Sequence, residues 1–148
     1  MPFDKRDFLN KRIGSSKKRL IEMQEEIRYT DPKTKRVFVV PVGFRSDYGS
    51  VPRILHSIFP PDEYPAEYVL HDLLYSGYVL KRTECDRVLR TALKDIDVRW
   101  TRRHAIWFGT RMGGWAAWDD KTGPQIMMTR NRILTAGGVA HWDFIHES

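Results

Sequence analysis

Apolar positions in the first third of the chain follow the two-residue period of a β-strand. Every second position is apolar in much of the stretch from Arg19 to Tyr29, at Ile21, Met23, Ile27 and Tyr29. This alternation predicts a half-buried strand, although its Glu-rich middle leaves a helix as the alternative. Asp31-Pro32-Lys33 has the chemistry of a turn, and the β-branched and aromatic run 37–40 follows it. The pattern therefore predicts a β-hairpin.

Beyond residue 50 the apolar spacing becomes helical and predicts four helices. Ser50 can cap a short helix that ends at Phe59, before Pro60-Pro61, with four residues expected to be buried: Ile54, Leu55, Ile58 and Phe59. A second helix starts at Pro65, and its apolar stripe is Ala66, Val69, Leu70, Leu73 and Leu74. A third is predicted from Thr83 to Ile96. The fourth runs from Trp100 to Trp118, is capped by Thr101, and has on its expected core face Ala105, Phe108, Met112 and Trp115.

These elements predict an α+β fold, with an N-terminal β-hairpin packed on a small bundle of about four helices. We expect a basic N-terminal arm at residues 1–16, one globular domain at 17–118 and an extended C-terminal tail at 119–148. The lone cysteine, Cys85, excludes an intrachain disulfide and is compatible with a reducing cytoplasm. We find neither a secretory signal nor an apolar run long enough for a membrane span.

The formal charge of +6 is concentrated near the N-terminus. The first 20 residues hold seven Lys or Arg and two Asp, an excess of seven minus two, or +5. Such an arm can make weak contact with nucleic acid or with another anionic surface, including a membrane or an acidic protein. The simpler interpretation, which we favour, is a solvated terminus.

The C-terminal tail is too apolar for a free coil, yet its glycines and Pro124 break any regular periodicity. It either wraps around its own domain or docks on a partner. We predict the second, with three residues as the anchors that bind the partner: Trp142, Phe144 and Ile145.

Four residues form the candidate chemical site. His71 and Tyr75 are four positions apart and share a side of the second helix, and Asp72 follows His71 directly. If the second and third helices pack antiparallel, Asp86 faces His71. We then expect a hydrogen bond of about 2.6–3.2 Å between them, with Tyr75 close to the same carboxylate.

Each of these residues also has a purely structural interpretation. Asp86 lies three positions after Thr83, the spacing of a capping box, and can simply satisfy the start of the third helix. His71 and Tyr75 can be hydrogen-bonded core residues. Asp47 and Ser50 can shape a turn and cap a helix.

Several motifs resemble a phage and prophage family catalogued as domain of unknown function 1353. The resemblance covers roughly residues 19–118 and rests on the stretch 43–53, His71-Asp72-x-x-Tyr75, Asp86-Arg87 and Arg111-x-Gly113-Gly114-x-Ala116. It implies a small protein encoded by a tailed bacteriophage or a prophage. The expected partners are then other phage structural proteins, and the expected location is the virion, with the host cytoplasm during assembly.

A second, local similarity is to phospholipase A2 proteins. It implies that His71 activates a water, that Asp86 orients His71 with help from Tyr75, and that Asp72 holds calcium, to which we add Asp47 as a second metal ligand. The glycine-rich calcium loop and the disulfide framework of that family have no counterpart in this sequence.

Two functions therefore stay open. One is a virion-associated accessory protein of the tail or head that docks on its neighbours through its arms. The other is a metal-assisted hydrolase, for which calcium is the expected divalent cation. An enzyme needs His71 to line a water-accessible cleft, so the burial of His71 discriminates between them.

Overall fold

The α+β fold predicted from the sequence is confirmed. A computed structural model describes residues 3–8, 10–13, 20–46, 48, 51–77, 80–113 and 118. Strands come first and helices follow, in the order β1 Asn10–Ile13, β2 Leu20–Met23, β3 Ile27–Thr30, β4 Val37–Val40, β5 Arg45–Ser46, α1 Arg53–Ile58, a 3-10 turn at Pro61–Glu63, α2 Pro65–Gly77, α3 Arg82–Asp95 and α4 Trp100–Gly113.

The predicted hairpin is β3 paired antiparallel with β4, with Tyr29 opposite Phe38. Its turn is closed by the Asp31 carboxylate, which accepts hydrogen bonds from the Lys33 backbone N–H at 3.0 Å and the Thr34 hydroxyl at 2.8 Å. Arg87 of α3 donates to the same carboxylate at 2.6 Å. Because Asp31 is fully buried, this ion pair fastens the hairpin turn to the helical layer.

The single strand expected from Arg19 to Tyr29 is in fact two strands in different sheets. β2 pairs with β1 and β5, whereas β3 pairs with β4. A bend at Gln24 and Glu25 separates the two. Met23 turns towards residues 43–44, donating its N–H to the Phe44 carbonyl and accepting from the Gly43 N–H. This backbone pairing is non-local, so the alternating pattern alone could not reveal the break.

Residues 3–8 and 10–13 of the predicted N-terminal arm pack on the domain. Phe3 is buried and its ring lies 4.7 Å from that of Tyr29. Arg6 donates two hydrogen bonds to the fully buried Glu67 of α2, at 2.8 and 3.2 Å. An aromatic anchor and a buried ion pair hold this segment on the domain, although its composition is that of a solvated terminus. The predicted domain boundaries stay predictions.

Helix α2 is the centre of the molecule. It contacts α3, β4 and β5, and all of its residues except Pro65 and Ser76 are buried. The five residues of the predicted apolar stripe are among them. Burial also includes Glu67, His71 and Asp72, since neighbours cover the helix on every side. Each of these three polar side chains must therefore find its partner inside the protein.

The core face predicted for α4 is wrong, and the one predicted for α1 is right only in part, since Leu55 is buried and Phe59 is partly buried. Ile54 and Ile58 are 74% and 58% exposed, and Phe108 and Met112 are 60% and 65% exposed. Ala105 is exposed as well, and Trp115 lies outside the described residues. The buried residues of α4 are Ile106 and Thr110.

The reason is a close approach between α1 and α4 at two glycines. A Cβ on Gly109 would lie 2.6 Å from Cδ1 of Leu55, and a Cβ on Gly113 would lie 2.9 Å from Cγ of Pro52. On α4, the contact is thus made by Gly109 and Gly113 rather than by the apolar residues beside them. The helix α1 begins at Arg53 after Pro52, which makes no side-chain cap, and Ser50 lies outside the described residues.

None of the helices in the described part of the chain is both long and apolar enough to cross a membrane.

We expect Gly109→Ala to have opposite effects in two backgrounds. In the wild type, the new methyl group overlaps Leu55, so the free energy of unfolding should fall by about 1–2 kcal/mol despite the better helix propensity of alanine. In a Leu55→Ala background the overlap is gone, and the same substitution should raise that free energy by about 1 kcal/mol. Urea unfolding of the four proteins measures both effects. Equal effects in the two backgrounds would contradict the close approach.

Candidate functional site: a buried carboxylate between three helices

His71 and Asp86 are hydrogen-bonded in the interior, between α2 and α3. His71 Nε2 lies 2.7 Å from Asp86 Oδ1, within the range expected from the sequence. Both side chains have no exposed surface. The Tyr75 hydroxyl donates to the same oxygen at 2.6 Å. The structure therefore brings together the three residues predicted as catalytic, while their chemical role stays a prediction.

The second oxygen of the carboxylate is bound by a residue that the sequence analysis did not assign to the site. Arg111 of α4 donates from Nη1 to Asp86 Oδ2 at 2.8 Å. Its side chain is 27% exposed, so the cluster has one end near solvent. His71, Tyr75, Asp86 and Arg111 are called the Asp86 network below.

Helical spacing explains why these four side chains meet. His71 and Tyr75 lie one turn apart on α2, and their rings are 4.2 Å apart, so both can reach one carboxylate. The short connection between α3 and α4 makes them antiparallel neighbours, which places Asp86 opposite Arg111 and Arg90 opposite Trp107. One carboxylate thus contacts all three long helices.

Arg82 adds a second tie between the same helices. Its Nε donates to the Tyr75 hydroxyl at 3.3 Å. Its Nη2 donates to the backbone carbonyls of Thr110 and Arg111 at 2.9 and 2.7 Å. From the start of α3, Arg82 thus binds both α2 and α4.

The contacts determine the ionisation of the network. Burial raises the pKa of Asp86, but hydrogen bonds from His71, Tyr75 and Arg111 more than offset it, so the pKa lies below its ordinary value. Burial, followed by the charge of Asp86, raises the pKa of the Tyr75 hydroxyl well above its usual range. At neutral pH the network therefore consists of a carboxylate, a neutral phenol and a guanidinium around the imidazole.

Asp72 faces away from this network and towards the loop after β5. It accepts a short hydrogen bond from the Ser46 hydroxyl, and the Tyr48 N–H donates to that hydroxyl oxygen at 3.2 Å. Asp47, the other predicted metal ligand, lies outside the described residues. Within the described part of the chain, no three Asp, Glu, His or Cys side chains converge as a metal site. The calcium site therefore stays a prediction.

The structure decides between the interpretations of Asp86. Helix α3 begins at Arg82, with Lys81 as its N-cap residue and no side-chain capping bond. Asp86 therefore does not complete a capping box but binds side chains from two other helices. The sequence could have pointed to Arg111 as a site residue, because Arg111 belongs to the Arg111-x-Gly113-Gly114 motif. Arg82 lies in none of these motifs, and two of its three acceptors are backbone carbonyls, which the sequence does not reveal.

These features define the class of protein as a small α+β domain with a buried His–Asp–Tyr–Arg cluster. The family described as "Protein of unknown function (DUF1353)" matches residues 21–110, and the chain belongs to this family. The match includes His71, Tyr75 and Asp86 and ends one residue before Arg111. No curated protein and no solved structure matches the chain significantly. The predicted partner-binding residues, Trp142, Phe144 and Ile145, lie outside the described residues.

We expect Asp86→Ala to lower the free energy of unfolding by about 3–5 kcal/mol at pH 7. The substitution leaves His71 buried without this acceptor and deprives Arg111 of its carboxylate. Tyr75→Phe removes only one donor from the network and should cost about 1 kcal/mol. Denaturant unfolding monitored by circular dichroism measures both variants, and an unchanged midpoint for Asp86→Ala would contradict a stabilising network.

The pH dependence of the difference in stability between wild type and Asp86→Ala tests whether the charge of Asp86 is responsible for it. Because the folded-state pKa of Asp86 is lowered, its contribution is complete above the unfolded pKa of about 4 and is lost as pH falls through the folded value. The difference between wild type and Asp86→Ala should therefore be largest at neutral pH and shrink below about pH 4. The lowered pKa of Asp31 contributes equally to both proteins and cancels. A difference that stays constant with pH would exclude a role for the Asp86 charge.

Proposed function

We propose that this protein is a bacteriophage-encoded, virion-associated accessory component of the tail or head, which docks on neighbouring chains through its C-terminal tail. The observation that carries the proposal is the burial of His71 and Asp86, whose side chains have no exposed surface. A general base must reach a water and a substrate. Because the His71–Asp86 pair is enclosed in the core, we assign it a structural role, in which the Asp86 network fixes the arrangement of three helices.

Two clefts lined by described residues lie away from the dyad. One, of about 400 Å³, is lined by residues that include Arg12, Tyr48 and Asp62. Another, of about 590 Å³, is lined by residues that include Lys5, Phe8 and Glu25. Neither is lined by His71 or Asp86, so neither would deliver a substrate to the dyad.

The two ends of the chain contribute differently to the proposed docking. Residues 3–8 and 10–13 pack on their own domain, and Lys5 and Arg6 are paired with Glu25 and Glu67. Contact with nucleic acid or an anionic surface is then left to the exposed Lys11 and Arg12 of β1 and to the cations of residues 17–19, which lie outside the described part of the chain. The C-terminal tail, with its aromatic residues, is the main docking element in this proposal. The proposed location is the virion, and the host cytoplasm during assembly.

We expect deletion of residues 124–148 to abolish incorporation into phage particles while leaving a soluble core. The reason is that the aromatic anchors of the tail supply most of the interface energy. The measurement is mass spectrometry of purified particles, with thermal unfolding of the truncated protein in parallel. The double variant Trp142→Ala/Phe144→Ala should reproduce the defect.

The matched control keeps the tail but changes its polar residues. His141→Ala/His146→Ala should be incorporated like the wild type. Normal incorporation of the truncated protein would refute tail-mediated docking. A truncated core that unfolds or aggregates would instead show that the tail belongs to the domain.

A metal-assisted hydrolase is the second candidate, and two observations favour it. His71, Asp86 and Tyr75 have the hydrogen-bond distances of an oriented base, 2.7 and 2.6 Å. Asp72 approaches the loop that contains Asp47, through Ser46. In this candidate His71 would act as the base, Asp86 and Tyr75 would position it, and Asp47 with Asp72 would hold the cation.

For this candidate, millimolar calcium should raise the melting temperature of the wild type, because a ligand that binds only the folded state stabilises it by mass action. Asp72→Asn should lose that increase. Magnesium is the comparison cation, since its preference for octahedral geometry makes it a poorer fit to flexible loop oxygens. Melting curves that do not respond to either cation would remove the main support for the hydrolase.

A further inference from the structure

Four large apolar side chains are exposed on α1 and α4. They are Ile54 and Ile58 on α1, one turn apart, and Phe108 and Met112 on α4, also one turn apart, with exposures from 58% to 74%. Single exposed apolar residues are normal, but a contiguous apolar surface is typical of an interaction site. The four side chains therefore indicate an interaction site only if they adjoin each other.

The contacts of Gly109 and Gly113 indicate that the four apolar side chains adjoin each other. Gly109 contacts Leu55, and Gly113 contacts Pro52. Residue numbers therefore increase along α4 in the direction in which they decrease along α1, so the two helices run antiparallel. Phe108 and Ile54 each precede a contact residue by one position, about 100° around the helix. In two opposed helices these positions lie on the same side of the contact line.

Residues on the other side of the contact between α1 and α4 agree with this placement of the four side chains. Thr110, which follows Gly109, is fully buried. His56, which follows Leu55, points its ring towards Tyr48 and Tyr68 of the core. Both following positions thus face the interior, and both preceding positions face solvent. Ile54, Ile58, Phe108 and Met112 form one surface, called the α1–α4 apolar surface below.

The C-terminal tail has the composition of a ligand for such a surface. Residues 119–148 include nine large apolar residues: Ile126, Met127, Met128, Ile133, Leu134, Val139, Trp142, Phe144 and Ile145. Trp118, which directly precedes this segment, lies with its ring 5.1 Å from that of Tyr75 on α2. Every copy of the protein therefore carries both an exposed apolar surface and an apolar segment that needs one.

We propose that the α1–α4 apolar surface binds residues 119–148 of a neighbouring copy of this protein. The inference rests on the proposed function, because it takes the tail to dock on another chain and identifies that chain as a second copy. Tail and surface are different parts of the molecule, so each copy can give its tail to one neighbour and receive the tail of another. Such a head-to-tail interface generates a ring or a filament, according to the rotation between copies.

Complementation between two full-length variants tests the proposal. Ile54→Glu/Phe108→Glu places charges on the surface, and Trp142→Ala/Phe144→Ala removes anchors from the tail. We expect wild-type protein to self-associate in sedimentation velocity experiments over a concentration series. Each variant alone should associate about tenfold more weakly or worse. An equimolar mixture should form a 1:1 dimer and nothing larger, because only one junction of intact tail and intact surface is then available.

Val42→Glu is the matched control. Val42 is 60% exposed and lies in the turn after β4, outside α1 and α4, so this variant should associate like the wild type. Ile58→Glu provides a second change on the surface if the double variant does not fold. The side chains of Val42, Ile54, Ile58 and Phe108 are solvent-exposed, so circular dichroism of these variants should show wild-type spectra and melting curves.

A monomeric wild type, self-association that survives both surface variants, or a mixture that remains monomeric would each overturn the inference. These failures are distinguishable from failure of the proposed function. If tail deletion prevents incorporation into particles although the purified protein is monomeric, the tail binds a different virion protein, and only the identity of its receptor is refuted.

Discussion

The Asp86 carboxylate is the contact on which the arrangement of the helices depends. A buried charge is tolerated only when its oxygens are bound, and here the bonds come from α2 on one oxygen and α4 on the other. A shift of either helix would leave part of the carboxylate without a donor in the core. The network therefore specifies how α2, α3 and α4 fit together, whereas the apolar residues around it require only that the helices pack. Arg82 reinforces the same arrangement by binding both Tyr75 and the end of α4.

Two other fully buried carboxylates follow the same rule at the edges of the domain. Asp31 joins the hairpin turn to α3 through Arg87, and Glu67 joins α2 to the N-terminal segment through Arg6. In each case the partner is an arginine far away in the sequence, whose planar guanidinium can bind a carboxylate with two donors. Buried ion pairs of this kind add little net stability, but breaking one leaves an uncompensated charge. They make alternative packings costly and so favour one register for the hairpin, the N-terminal segment and the helices.

The proposed function rests on where this fold places its polar and apolar groups. The His71–Asp86 pair, which has the appearance of catalytic chemistry, is enclosed, and several apolar residues of α1 and α4 that sequence periodicity assigns to the core are on the outside. The glycines at 109 and 113 produce this exchange, because their lack of side chains lets α1 approach α4 closely and leaves Phe108 and Met112 beside the contact rather than in it. An enclosed dyad and an exposed apolar surface together favour assembly over catalysis.

The sequence by itself determined the elements and part of the site. Alternation and turn chemistry predicted the hairpin, the apolar stripe of α2 was correct, and the four-residue spacing of His71 and Tyr75 with a facing Asp86 predicted their meeting. These properties are local, or need only that neighbouring helices pack antiparallel. Only the tertiary structure decided which side of α4 is buried, that Arg111 completes the network, and that residues 3–8 and 10–13 are held on the domain. Those outcomes depend on partners distant in the sequence, and no local period encodes the distance between two helices or the choice of one arginine among many.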